Sequence, residues 1–380
     1  WTTSMSIQLQ KVHRFEVLDA LRGVAALLVV QIHMPFLFAA TMPFPHAYLA
    51  VDFFFMLSGF VMAFAYGSRL RQGWPTLLFL RDRFIRLYPL FLLSIPFGLL
   101  HLFVVSHKEH SPLPNSEIPW LLLFTILLLP LPKFFQAGGV YSHPVVGPSW
   151  SLFLEVVANI GHALFLRSRT IPQLAGIVIA ANLLLIPVSI SHHGIEVGFL
   201  KGQIIVGIVR VAASYTYGVL LFELRNKGLF NRFGSALASV AILMAVLMSP
   251  LPASPLVNSI VDLLAVYLLF PATIILGSNA FASPRVVPTF SVLGTISYAI
   301  YILHPSVFTA FTGAWTLLLG GKAADHAPIS GIVFVLILVL TCYAADRFYD
   351  LPIRSRLKAR LRPRQTPVST QNPEPSVHSR

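Results

Sequence analysis

The chain has 380 residues, of which 56% are hydrophobic and only 11% charged. A soluble globular domain carries about 25% charged residues, so this composition excludes an ordinary water-soluble enzyme. The net charge is +13, and in a chain this apolar such an excess marks cytoplasmic loops rather than a nucleic-acid surface. A single cysteine, Cys342, excludes an intramolecular disulfide and a thiolate metal cluster, and the thirteen histidines fall into no metal-binding spacing, so no metal is expected.

Apolar stretches of about 20 residues predict membrane helices at 17–38, 50–67, 87–106, 149–166, 172–190, 203–222, 234–250, 256–276, 290–313 and 329–350. The expected fold is an all-α, polytopic transmembrane helix bundle of about ten spans in a lipid bilayer. A further apolar segment, 118–132, ends at Pro130 and Pro132 and is short for a span, so it is expected to be re-entrant or packed within the bundle. With that segment left out and the N-terminus inside, most loop Lys and Arg and the basic tail from Arg347 fall on the cytoplasmic side. Only Lys108, Lys133, Lys201 and Lys322 then face out, and both termini are cytoplasmic. The division expected is a cytoplasmic segment 1–14, a transmembrane domain 15–350, and a tail 351–380 that is basic and then, from about Pro363, disordered. The first apolar segment is long and lacks a small-residue cleavage site, so no cleaved signal peptide is expected, and the opening Trp1 places the true start at Met5 or upstream.

Ionisable residues inside these spans are costly to bury and therefore carry the functional signal. Arg22 and His33 lie eleven residues apart, almost three helical turns, so both leave one helix face about 16 Å apart along the axis. Counted from the span ends, His33, Glu155, Arg210 and His304 all fall roughly 8 to 14 Å below the outer boundary, which allows them to meet. An inert charge-paired network holding helices together is the alternative for Glu155 and Arg210. On the helix beginning at Trp150, Ser151, Glu155, Asn159 and His162 share a face at spacings of four, four and three. Interhelical hydrogen bonding accounts for Ser151 and Asn159, whereas Glu155 needs a cation or a proton. Between the second and third spans, Arg83 and Arg86 project together and can grip phosphates by forked hydrogen bonds, although isolated cytoplasmic arginines ordinarily only anchor a helix.

Five runs in order, FEVLDALRGVAALLVVQIH, VDFFFMLSGFVMAF, FLRDRFIRLYP, GPSWSLFLEV and ISYAIYILHPSV, resemble the acyltransferase 3 family of bacterial membrane O-acyltransferases from about Phe15 to Tyr349. The family's signatures are matched by Arg22 and His33 (Arg or Lys, ten residues, His), by Arg83 and Arg86 (R-x-x-R), and by Ser151 and Glu155 (Ser, then an acidic residue four later). The resemblance implies transfer of an acyl group, usually acetyl, from cytoplasmic acyl-coenzyme A to a hydroxyl of a glycan or other acceptor, in the bacterial inner membrane. Some members carry a C-terminal SGNH hydrolase-like domain, and none is expected here.

Combined with the physical reading, Arg22, Arg83 and Arg86 are expected to hold the coenzyme A donor. His33 is expected to act as general base or acyl carrier, Glu155 to orient its imidazole, and Ser151 to support that carboxylate. Asp52, Trp150, Arg210 and His304 are assigned to substrate contact or support. A transporter or flippase for a lipid-linked sugar or small anion would suit the same polar cavity, but no inverted repeat is apparent. A membrane sensor with structural charges is the third reading.

Overall fold

The computed structural model describes residues 15–38, 44–108 and 113–361. The expected cytoplasmic segment 1–14 and the tail beyond 361 lie outside the described residues. The helices are α1 (Glu16–His33), α2 (Ala50–Arg71), α3 (Thr76–Lys108), α4 (Ile118–Ile126), α5 (Ser149–Gly161), α6 (Ile171–His192) and α7 (Ile204–Asn226). They continue as α8 (Ala236–Leu247), α9 (Pro255–Leu264), α10 (Phe270–Ser278), α11 (Val287–Leu319), α12 (Ile329–Ala344) and α13 (Leu351–Arg360). Short π-type turns extend α5 through His162–Leu166, join α9 to α10 through Ala265–Leu269, and join α12 to α13 through Ala345–Asp350. β structure among the described residues is a single antiparallel bridge between Tyr141 and Leu200.

With those turns counted into continuous rods, 8 helices among the described residues are long and apolar enough to cross a membrane. Two more complete the ten expected segments. α1 has 18 residues but carries Glu16, Asp19 and Arg22, while α8 is apolar but only 12 residues long. α4 is 9 residues, about 14 Å, and is too short for a hydrocarbon core of about 30 Å. The protein is an all-α, polytopic membrane helix bundle.

Several boundaries differ from the sequence expectation, and two of them move site residues. α1 stops at His33, because Pro35 lacks an amide hydrogen to continue the helix and opens a 3-10 turn, Pro35–Phe38. α3 starts at Thr76 rather than 87, so Arg83 and Arg86, expected on a helical entry before the third span, lie within the continuous helix itself.

The layering follows burial. In the most apolar stretch of α2, 72% of residues are buried against 22% for α6, which makes α2 a central rod and α6 a lipid-facing one. α2 packs along α7 and α1 along α11. The first pair meets backbone to backbone: a Cβ at Gly59 would collide with the Tyr215 carbonyl, and one at Gly218 with the Met56 carbonyl. Lipid tails are as apolar as the helices, so close van der Waals contact of this kind, rather than a hydrophobic driving force, holds membrane helices together.

Candidate active site

Two cavities enter the bundle from opposite ends. One, of about 470 Å³, is ringed by the last residues of α1, the start of α2, α5 and α7, the middle of α11, the later part of α3, and the loops 127–148 and 193–203. Its wall includes His33, Tyr48, Tyr141, His143, Trp150, Glu196 and Arg210. The other, of about 370 Å³, is lined by Arg22, Ser58, Arg83, Arg86, Ser151, Glu155, Tyr298 and Lys358. Val51 and Tyr301 line both. The neighbours Trp150 and Ser151 thus face different cavities, and the Tyr301 hydroxyl bonds Ser151 Oγ at 2.6 Å where the two approach.

His33 is the last residue of α1 and presents an exposed ring to the larger cavity. Its Nδ1 lies 2.9 Å from the Val29 carbonyl. A carbonyl only accepts, so Nδ1 carries the proton and Nε2 keeps its lone pair. The His304 ring lies 4.9 Å away, centroid to centroid, fully buried behind the cavity wall. His304 Nδ1 donates to the Tyr301 carbonyl at 2.9 Å, and its buried Nε2 has no partner among the described residues. The sequence reading did not single out His143, on the loop before α5, which supplies another imidazole to the wall. Burial pushes its pKa down to about 4, so it is neutral at physiological pH.

Four of the five N–H groups of Arg210 are bonded. Its Nε and Nη2 donate to the Asp52 carboxylate at distances from 2.6 to 3.1 Å, Nη1 donates to the Val197 carbonyl at 2.9 Å, and Nη2 also reaches the Tyr48 carbonyl at 3.2 Å. The guanidinium stands 5.5 Å over the Trp150 ring. One side chain thereby ties α2, α5, α7 and the loop 193–203 around the cavity.

In the smaller cavity Arg83 donates to Glu155 Oε1 at 2.7 Å, and Ser58 Oγ donates to the same oxygen at 3.0 Å. Arg22 is held by Ser297 Oγ at 2.8 Å, by Asp19 at 3.2 Å and by the Gly294 carbonyl. Arg86 lies 3.6 Å from Asp350 and 5.5 Å from the Tyr298 ring centroid, and Arg354 approaches Asp350 at 3.1 Å. Lys358 of α13, also unmarked by the sequence reading, completes a cluster of four cations.

Two expected contacts are corrected. Glu155 meets Arg83 and Ser58 rather than His33, because its face of α5 turns toward α3 and α2 and not toward the end of α1. Ser151 does not support Glu155: its Oγ donates to the Pro148 carbonyl at 3.0 Å and bonds Tyr301. His33, His304, Trp150, Arg210 and Asp52 do gather at one end of the bundle, and Arg22, Arg83, Arg86 and Glu155 at the other.

A multi-pass helix bundle with a polar, internally accessible site defines the class of protein. Residues 15–345 match the acyltransferase domain of the acyltransferase 3 family, and the chain belongs to that family of membrane acyltransferases. Among curated proteins it is similar to "Protein 2 in picA locus" of Rhizobium radiobacter, at 38% identity over 169 residues, which cover 42% of this chain and 86% of that protein. No solved structure matches the chain.

Proposed function

We propose that the protein moves an acetyl group from cytoplasmic acyl-coenzyme A to a hydroxyl of a glycan or similar acceptor beyond the bacterial inner membrane, with His33 as general base. The observation that carries this reading is the pair of cavities, cationic at one end and imidazole-bearing at the other, which share Tyr301 and Val51 as wall.

Coenzyme A is a polyphosphate on a thin pantetheine arm. Arg22, Arg83, Arg86 and Lys358 suit the polyphosphate, and the arm would run past Tyr301 to bring the thioester to His33. The acceptor hydroxyl gives its proton to His33 Nε2 while its oxygen bonds the thioester carbonyl carbon. The C–S bond then breaks, the thiolate takes the proton from the imidazolium, and an ester and free coenzyme A leave. In this scheme Glu155 positions Arg83, Ser151 fixes Tyr301, and the Asp52–Arg210 pair holds the outer frame.

Purified protein in detergent, given labelled acetyl-coenzyme A and a panel of methyl glycosides, should leave label in ester linkage on an acceptor. Without acceptor the protein should stay unlabelled, because the base route forms no acyl-enzyme. Absence of labelled ester with every acceptor would remove the proposal.

The donor assignment makes its own prediction. Lys358→Ala and Arg83→Ala should each weaken acetyl-coenzyme A binding about 10- to 100-fold, the size of a lost charged hydrogen bond. Acetyl-pantetheine, which lacks the nucleotide phosphates, should lose little. Equal losses for both donors would assign these cations to helix anchoring.

Orientation is open to a direct test. Single cysteines at the exposed positions Val140 and His193, with Cys342→Ser, should react with an impermeant thiol reagent from outside intact cells. Cysteines at Ser168 and Lys227, also exposed, should react only after permeabilisation. The reverse pattern would turn the cationic cavity outward, away from cytoplasmic coenzyme A.

A further inference from the structure

The mechanism uses the inner part of the larger cavity and leaves its rim unexplained. That rim is built by two loops pinned to each other. Ser142 N donates to the Phe199 carbonyl at 2.9 Å and Lys201 N to the Val140 carbonyl at 2.8 Å, around the Tyr141–Leu200 bridge. The Lys201 ammonium adds bonds to the Phe135 and Ala137 carbonyls at 2.7 and 3.0 Å. This cross-linking fixes Tyr141 beside Phe199, their planes within 29° and their centroids 6.5 Å apart, so the rings extend one aromatic wall. Trp150 continues it, 6.0 Å from Phe199. Gly198, at φ +107°, lets the loop close over the indole, where a Cβ would press on the Trp150 ring at 3.1 Å.

Glu196 stands on the same wall, exposed to the cavity, and no protein hydrogen bond reaches its carboxylate among the described residues. Arg210 attracts the Glu196 carboxylate through space but leaves its oxygens free of protein hydrogen bonds among the described residues, and a rigid aromatic surface beside it suits a ligand with an apolar face and adjacent donors. A pyranose ring has both: its axial C–H groups lie against a negative π face, and vicinal hydroxyls donate to the two carboxylate oxygens. A quaternary ammonium also suits aromatic rings and a carboxylate. Here, however, the rings form a wall rather than a box, and the Trp150 face already carries the Arg210 guanidinium.

Resting on the transferase reading above, we infer that Tyr141, Phe199 and Glu196 form an acceptor subsite that selects a pyranose ring and delivers one of its hydroxyls to His33.

Saturation-transfer NMR, which needs no turnover, tests the subsite separately from the chemistry. Irradiating the protein's aromatic protons in detergent should transfer saturation to the ring C–H protons of methyl pyranosides, and much less to sorbitol or choline. Tyr141→Ala and Glu196→Gln should remove that transfer. In the acetylation assay both should raise the acceptor KM about tenfold or more, with the KM for acetyl-coenzyme A unchanged. Pyranoside contact without acetyl transfer would sink the transferase reading and leave the subsite standing. Three outcomes would overturn the subsite: acetyl transfer indifferent to both substitutions, equal saturation of sorbitol, or stronger saturation of choline.

Discussion

Replacing His33 by alanine is expected to lower acetyl transfer about 10²- to 10⁴-fold, the usual cost of deleting a general base. The expectation rests on orientation. Nδ1 is committed to the Val29 carbonyl, so the ring offers Nε2 to the cavity as an acceptor, ready to take the acceptor's proton. The loss should appear in kcat, with acetyl-coenzyme A binding retained, because the cations that suit the nucleotide line the other cavity. His33→Gln keeps the polarity and part of the volume but takes up no proton, so it should be as inactive as alanine. His143 is the control, since its ring shares the same wall and its Nε2 also lacks a partner among the described residues. Full activity in His143→Ala with loss in His33→Ala assigns the base. Near-wild-type turnover in His33→Ala would end the mechanism, and loss confined to His143→Ala would move the base to the loop.

The family and the helix bundle were legible from the chain because both are written in local pattern. Apolar runs of span length locate the ten segments, and the 118–132 run is short for a span, in keeping with the 9-residue α4. The partners of the site residues were less accessible. Depth counted from span ends fixes one coordinate of a side chain and leaves its direction around the helix free. The depth itself also shifts, because α1 ends at His33 rather than at 38 and sets the imidazole at the helix end, whereas Glu155 lies six residues past the start of α5 and lines the other cavity. The start of α3 compounded this. TLLFLRDRFIRLYP is too charged to read as a span, yet these residues form the first turns of the helix and bring Arg83 against Glu155. Arg210 and Asp52 each stand out in the sequence as candidates for substrate contact or support, but their pairing joins residues 158 apart and has no local signature. Tyr301, Glu196 and Lys358 carry no signal in the sequence for a related reason: a tyrosine in a span, a glutamate in a loop and a lysine in a basic tail are ordinary until packing sets them on a cavity wall.

Asp52→Ala and Arg210→Ala are each expected to destabilise the bundle by about 3 to 5 kcal/mol, because each leaves a buried charge without its counter-charge. The pair is almost completely enclosed, with side-chain exposures of 1% for Arg210 and 0% for Asp52, so solvent cannot replace the lost partner. Thermal unfolding in detergent, followed by loss of the monodisperse peak, would measure the effect. The variant Asp52→Ala/Arg210→Met removes both charges and restores apolar volume, so its loss should be smaller than that of either single change. Activity in this double variant then separates two roles. If the pair only braces α2, α7 and the loop 193–203, acetyl transfer should return with stability. A stable double variant that binds donor and pyranoside yet transfers nothing would make Arg210 part of the chemistry, its guanidinium acting on the charge that develops at the thioester oxygen.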